Sequence, residues 1–127
     1  MPGRERKRRT ILHFSADRII LFLRAWSLNE MGYRVLNARN ATEAVELATR
    51  KRVDAVVLDL DRNHDEVTMV AAEIKRRRPQ TPTILLTEGT AAPERACELA
   101  DALLPKRDDL DMLATALKNV LDSGVPE

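Results

Sequence analysis

The chain is short of aromatic residues, cysteine, histidine and glycine, and each shortage removes a class of function. Its four aromatic side chains (two Phe, one Trp, one Tyr) are 3% of 127 residues. A platform that stacks single-stranded bases needs exposed rings, so none is expected. The one cysteine, Cys97, cannot close an internal disulfide. Within "ERACELA" it reads as a small buried apolar residue. The two histidines, His13 in an apolar run and His64 in "DRNHDE", have no cysteine at ligand spacing, which excludes a zinc site. The four glycines form no phosphate loop, and no Ser-His-Asp or Cys-His set has a context for hydrolysis. The chain does not read as an enzyme. Its longest apolar stretch, "IILFL" at 19–23, stops at Arg24 and is too short for a bilayer. No signal-peptide core follows the basic start before Asp17 and Arg18, so a reducing, cytoplasmic setting is expected.

What remains is ordinary for a globular domain. An apolar fraction of 44% and a charged fraction of 32% suit one domain with a core that needs no disulfide or metal. The net charge of +1 is unevenly spread. Residues 1–10 hold Arg4, Arg6, Lys7, Arg8 and Arg9 against Glu5, a local +4, which leaves −3 on the rest. The expected division is a basic arm at 1–8, a domain at 9–122 and a tail at 123–127, with no output domain following.

Short β-like runs alternate five times with amphipathic ones. "TILHF" (10–14) reads as a strand, and 17–31 as a helix with Asp17 as N-cap and Gly32 as its stop. "YRVLNA" (33–38) is a second strand. Asn40, with Glu43 three residues on, opens a second helix in a variant of the capping box. "DAVVLDL" (54–60) is continuously apolar up to Asp59, the mark of a strand buried on both faces. A helix near 65–78 ends at Pro79, and "PTILLT" (82–87) is a fourth strand. A short helix at 92–100 has Pro93 near its first turn. "ADALLP" holds a fifth strand. Over 108–122, Leu110, Leu113, Ala114, Leu117, Val120 and Leu121 recur at helical spacing. Five such units with short connections predict a doubly wound parallel sheet with helices on both faces, and ligands at the carboxyl ends of its strands.

The residues at those ends are Ser15, Ala16 and Asp17; Asp59 to Asn63; Thr87 and Glu88; and Lys106. A carboxylate after strand three can accept a phosphoryl group as a covalent intermediate, while a hydroxyl after strand four and a lysine after strand five can hold its oxygens. Singly, Asp59 reads as a turn cap, Thr87 as a β-branched strand end and Lys106 as a solvated lysine. Together, "VVLDLD", "ILLT" and "LLPK" resemble the receiver domain of two-component response regulators, from about Arg9 to Asp122. The resemblance implies a flavodoxin-like (βα)5 fold with strand order 2-1-3-4-5. It implies Asp59 as phosphoacceptor, Thr87 as the phosphate-facing switch and Lys106 as the phosphate-pairing lysine. The partners it implies are a sensor histidine kinase or phosphotransfer protein, a downstream protein, and a second copy through the face from helix four to helix five.

The chain departs from the family pattern in ways that weaken the site. Ser15 and Ala16 stand where receivers carry two adjacent acids for a divalent metal. Asp17 is one residue late, and moving it into place would turn the strand's faces over. Asp59, a backbone carbonyl and waters would make a poor octahedral magnesium site, so Mg2+ is expected to bind weakly. Glu88 follows Thr87 where a small residue is usual, Leu103 replaces a common aromatic, and Arg62-Asn63 replaces Met-Pro. Arg107 replaces the proline after the lysine, and a cis bond there would cost about 2.5–4 kcal/mol. The predicted function is a stand-alone receiver with Asp59 as candidate acceptor. The alternative is a protein-binding module that works without phosphorylation.

A third possibility rests on charge. "RKR" (50–52) and "KRRR" (75–78) end two helices at the pole opposite Asp59, where the arm also emerges. That pole could attract nucleic acid, but favourable charge at helix C-termini is the preferred reading.

Overall fold

The computed structural model describes residues 8–60, 64–87, 94–105 and 110–123. Five strands, β1 (Thr10–Phe14), β2 (Arg34–Ala38), β3 (Ala55–Leu60), β4 (Thr83–Thr87) and β5 (Ala102–Pro105), form one parallel sheet in the order β2-β1-β3-β4-β5. Between and after them run α1 (Arg18–Glu30), α2 (Ala41–Arg50), α3 (His64–Arg77), α4 (Glu94–Leu99) and α5 (Leu110–Ser123). This is the expected doubly wound, flavodoxin-like topology.

Central β3 is buried at all six positions, as its unbroken apolar run requires. Successive side chains leave a strand on opposite faces. Val56, Leu58 and Leu60 therefore join Leu12, Phe14, Val70, Ala71 and Ile74 in a core beneath α2, α3 and α4. Ala55 and Val57 join Ile11, Ile84, Leu28, Leu113 and Leu117 in a second core beneath α1 and α5. Asp59 continues the second set, so its carboxylate is directed into the α1–α5 layer.

The helix ends follow their sequence signals. Asp17 Oδ1 accepts from the backbone N–H groups of Ile19 (2.9 Å) and Ile20 (3.1 Å). Gly32 leaves α1 at φ 100°, a left-handed conformation that its lack of a Cβ permits. Asn40 Oδ1 accepts from Glu43 N–H, while Glu43 reaches back to Arg39 N–H, one residue before the cap. One expectation fails. Cys97 is exposed, because buried Ala96 takes the inward position of α4 and the next residue turns about 100° away. Leu110, in the first turn of α5, is 43% exposed and stands outside the core that begins at Leu113.

The basic end of α3 is largely engaged within the protein. Glu73 pairs with Arg76 (2.5 Å) and Arg77 (2.7 Å), and both guanidiniums hold its carboxyl below the usual range. Arg78 donates to the carbonyls of Ala48 and Thr49, the otherwise open end of α2. Lys75 pairs with Asp101 at 3.4 Å. No helix among the described residues is long and apolar enough to cross a membrane.

One device recurs where strands begin. Asp54 N–H donates to Thr10 O while Asp54 Oδ2 accepts from Thr10 N–H. Asp101 does the same with Thr83, at 2.8 Å in each direction. Each aspartate so aligns its following strand with a neighbour. Asp101→Ala is expected to strip the partner from the buried Thr83 N–H and cost about 1–3 kcal/mol. The measurement is the urea midpoint at unchanged m-value. Asp101→Asn, which keeps an acceptor, should recover part of the loss.

Candidate functional site

Ser15, Asp59 and Thr87 lie at the carboxyl ends of three adjacent strands. Asp59 is paired in register with Leu86, and Thr87 with Leu60, one step further along. Asp59 and Thr87 are both buried, at 1% and 8% exposure. Lys106, Asp61, Arg62, Asn63, Glu88 and Arg107 lie outside the described residues, so the proposed lysine contact has no geometry here.

The residue that defines the site is one that strand-end reasoning passes over. Arg24, midway along α1, places Nη1 2.5 Å from Asp59 Oδ1 and 3.2 Å from His13 Nε2. The Asp59 side chain is fully buried and that of Arg24 is 11% exposed. Leu21, Arg24 and Leu28 are spaced i, i+3 and i+7, the inward stripe of the helix. The two leucines are buried, so the arginine extends from a core-facing position toward the strand ends. That spacing was the available signal. The sequence presents Arg24 only as the charge that ends an apolar run.

A guanidinium has only donors. The nitrogen of His13 that faces Arg24 must therefore offer a lone pair, leaving the ring neutral with its proton on Nδ1. The protonation energetics agree: burial, then the charge of Arg24, lower the His13 pKa to about 3. A second cation between β1 and α1 is thereby avoided.

The side chains that follow β1 are also committed. Buried Ser15 accepts the Asp17 N–H on its Oγ at 3.2 Å. Ala16 has no side-chain donor atom, and the Asp17 carboxylate caps α1. A magnesium ion, which the receiver resemblance implies, does not fit this donor set. Among the described residues at the strand ends it would meet the Asp59 carboxylate, already paired to a cation, and the guanidinium would repel it. Among the described residues no group of three or more His, Cys, Asp or Glu side chains is arranged to hold a metal.

His13 gives the site a pH signature. Above pH 6.5 the folded and unfolded chains both keep it neutral; below 6.5 the unfolded chain takes up a proton that the folded chain refuses until about pH 3. The contribution is complete above the unfolded value and falls by about 1.4 kcal/mol per pH unit on acidification. Urea unfolding at pH 7 and pH 5 should show a loss of about 2 kcal/mol from this group. His13→Leu should remove that part of the slope. An unchanged slope would assign the proton uptake elsewhere.

Comparison with known proteins agrees with the topology. The family model for the response regulator receiver domain matches residues 14–119. Response regulator MprA of Mycobacterium leprae is 30% identical over 120 residues, covering 92% of this chain and 53% of that protein. Transcriptional regulatory protein GlrR of Escherichia coli K12 is 28% identical over 110 residues, covering 84% of this chain and 25% of that protein. The chain thus spans a quarter to about half the length of these curated relatives. Among solved structures, response regulator TrrA of Thermotoga maritima, in complex with Mg(2+)-BeF, superposes with a TM-score of 0.82 at 27% identity, covering 89% of this chain and 99% of that one. With its fold, strand order and most of its length accounted for in this way, the chain belongs to the response regulator receiver domain family of two-component signal transduction.

Proposed function

We propose that this receiver signals through protein contacts in a state set by the Arg24–Asp59 ion pair, and that phosphoryl transfer is not what switches it. The observation that carries this reading is the guanidinium nitrogen 2.5 Å from Asp59 Oδ1 in a fully buried setting. Phosphoryl transfer to a carboxylate depends on charge stabilisation that grows toward the transition state, which a metal ion usually supplies. A guanidinium bound to the resting carboxylate stabilises the nucleophile before reaction, and so raises the barrier. The acids that would recruit a metal are replaced by Ser15 and Ala16. The chain then presents one fixed surface to a downstream protein.

A second reading keeps Asp59 as a slow phosphoacceptor, served by a sensor histidine kinase or phosphotransfer protein. It is favoured by Asp59 and Thr87 standing at adjacent strand ends. In it, Arg24, Thr87 and Lys106 would hold the phosphoryl oxygens, with Mg2+ bound weakly. Nucleic-acid binding at the basic pole gains no support, because Lys75, Arg76, Arg77 and Arg78 all have partners within the protein.

Acetyl phosphate with magnesium, followed by intact mass, separates the two readings. The native chain should stay unlabelled over a period that saturates an ordinary receiver. Ser15→Asp and Ala16→Asp combined with Arg24→Met should gain both magnesium binding by calorimetry and labelling that Asp59→Ala abolishes. Rapid, magnesium-dependent labelling of the native chain would overturn the proposal and favour the phosphoacceptor. Circular dichroism controls for folding, since Arg24→Met alone breaks the ion pair of a buried carboxylate and should cost about 3–5 kcal/mol.

For the basic pole, duplex DNA at moderate salt should bind no better than a neutral polymer. A steep salt dependence that is lost on deleting residues 1–9 would revive that function.

A further inference from the structure

Helix α1 is apolar on two sides. Leu21 and Leu28 face the core, yet Ile19 (69% exposed), Phe22 (69%), Leu23 (55%) and Trp26 (61%) face outward. The outward set includes the only tryptophan and half of the chain's four aromatic side chains. Single exposed apolar residues are common, but four adjacent ones on one helix mark a contact surface. By contrast, the described part of the face from α4 to α5 offers Leu103, Leu110 and Met112, each near 40% exposure and spread over two elements.

The charges at the ends of this stripe indicate what covers it. Arg18, Phe22, Trp26 and Glu30 follow one another at intervals of four, so they form a single ridge along the helix. The ridge reads cation, aromatic, aromatic, anion. Turned end for end it reads anion, aromatic, aromatic, cation, so it complements itself. Neither Arg18 nor Glu30 forms an ion pair with another described residue. Both also oppose their own helix dipole, since α1 has no acid in its first turn and no base in its last. An antiparallel neighbour corrects both faults, bringing a positive helix end to Glu30 and a negative one to Arg18.

We propose that α1 packs antiparallel against α1 of a second copy across a twofold axis, Phe22 against Trp26 and Arg18 against Glu30, each pair occurring twice. Ile19 and Leu23 form the next row along one side of the ridge and widen its apolar surface. Together the two stripes would remove about 1,000 Å² from water, the lower bound for a specific interface.

Sedimentation of the 127-residue chain across micromolar concentrations, read together with Trp26 emission, tests the pairing. Dimer and a blue-shifted Trp26 should appear together as concentration rises. Phe22→Ser with Trp26→Ser should give a folded monomer, because both positions are solvent-exposed within one copy. Arg18→Glu alone, or Glu30→Arg alone, should weaken the dimer roughly tenfold by placing like charges opposite each other. The double variant Arg18→Glu with Glu30→Arg should restore it, which a general loss of stability would not do. A species of 14.3 kDa at every concentration with unchanged Trp26 emission would overturn the proposal. So would a dimer indifferent to the charge reversals, or one that survives the Phe22 and Trp26 changes.

Discussion

A carboxylate at the end of a buried central strand needs a positive partner, and the architecture around Asp59 depends on how that need is met. Desolvating an ion is costly unless a well-placed opposite charge accompanies it. Arg24 supplies that charge from α1. Its placement requires a core-facing position, since an outward arginine on the same helix could not reach the strand end. It also requires a neutral neighbour in β1. Burial and the guanidinium together hold His13 uncharged, so no second charge forms in β1 beside the pair. The pair therefore fixes the rotation of α1 about its own axis, which in turn determines the side chains left facing water.

The fold was legible because its signals are local and agree with one another. Asp17, Gly32 and Asn40 stand where a helix must begin or end, and "AVVLDL" is too uniformly apolar for any strand but a central one. Strand order followed from the alternation of elements and the receiver resemblance. The ion pair was not legible for a physical reason. Helical periodicity sorts residues by polarity, and α1 carries apolar residues on two sides with its one inward charge set between the core-facing leucines. "RIILFLRAWSLNE" thus presents no clean stripe, and Arg24 reads as an interruption. His13 was similarly opaque, because a strand residue's proton affinity depends on neighbours far away in sequence. Cys97 was misread since a short helix offers too few turns to distinguish its faces.

The basic clusters show how composition can mislead in the other direction. "KRRR" in the sequence suggests an anion-binding surface. In the fold, Glu73 engages two of these residues, Asp101 a third, and Arg78 closes the carbonyl end of α2. Charge that looks available in one dimension is largely neutralised or hydrogen-bonded in three. What it provides is registry between α2, α3 and the start of β5.

The counter-ion at Asp59 is a side chain, and that removes it from mass action. A bound metal obeys a dissociation constant, so its occupancy follows the free concentration around the protein and is lost to a chelator. Arg24 has no such equilibrium: it is tethered to the same chain by covalent bonds and is present at one copy per carboxylate. The charge that Arg24 brings to Asp59 is consequently independent of divalent cation supply. Withdrawing it requires the side chain or α1 itself to move.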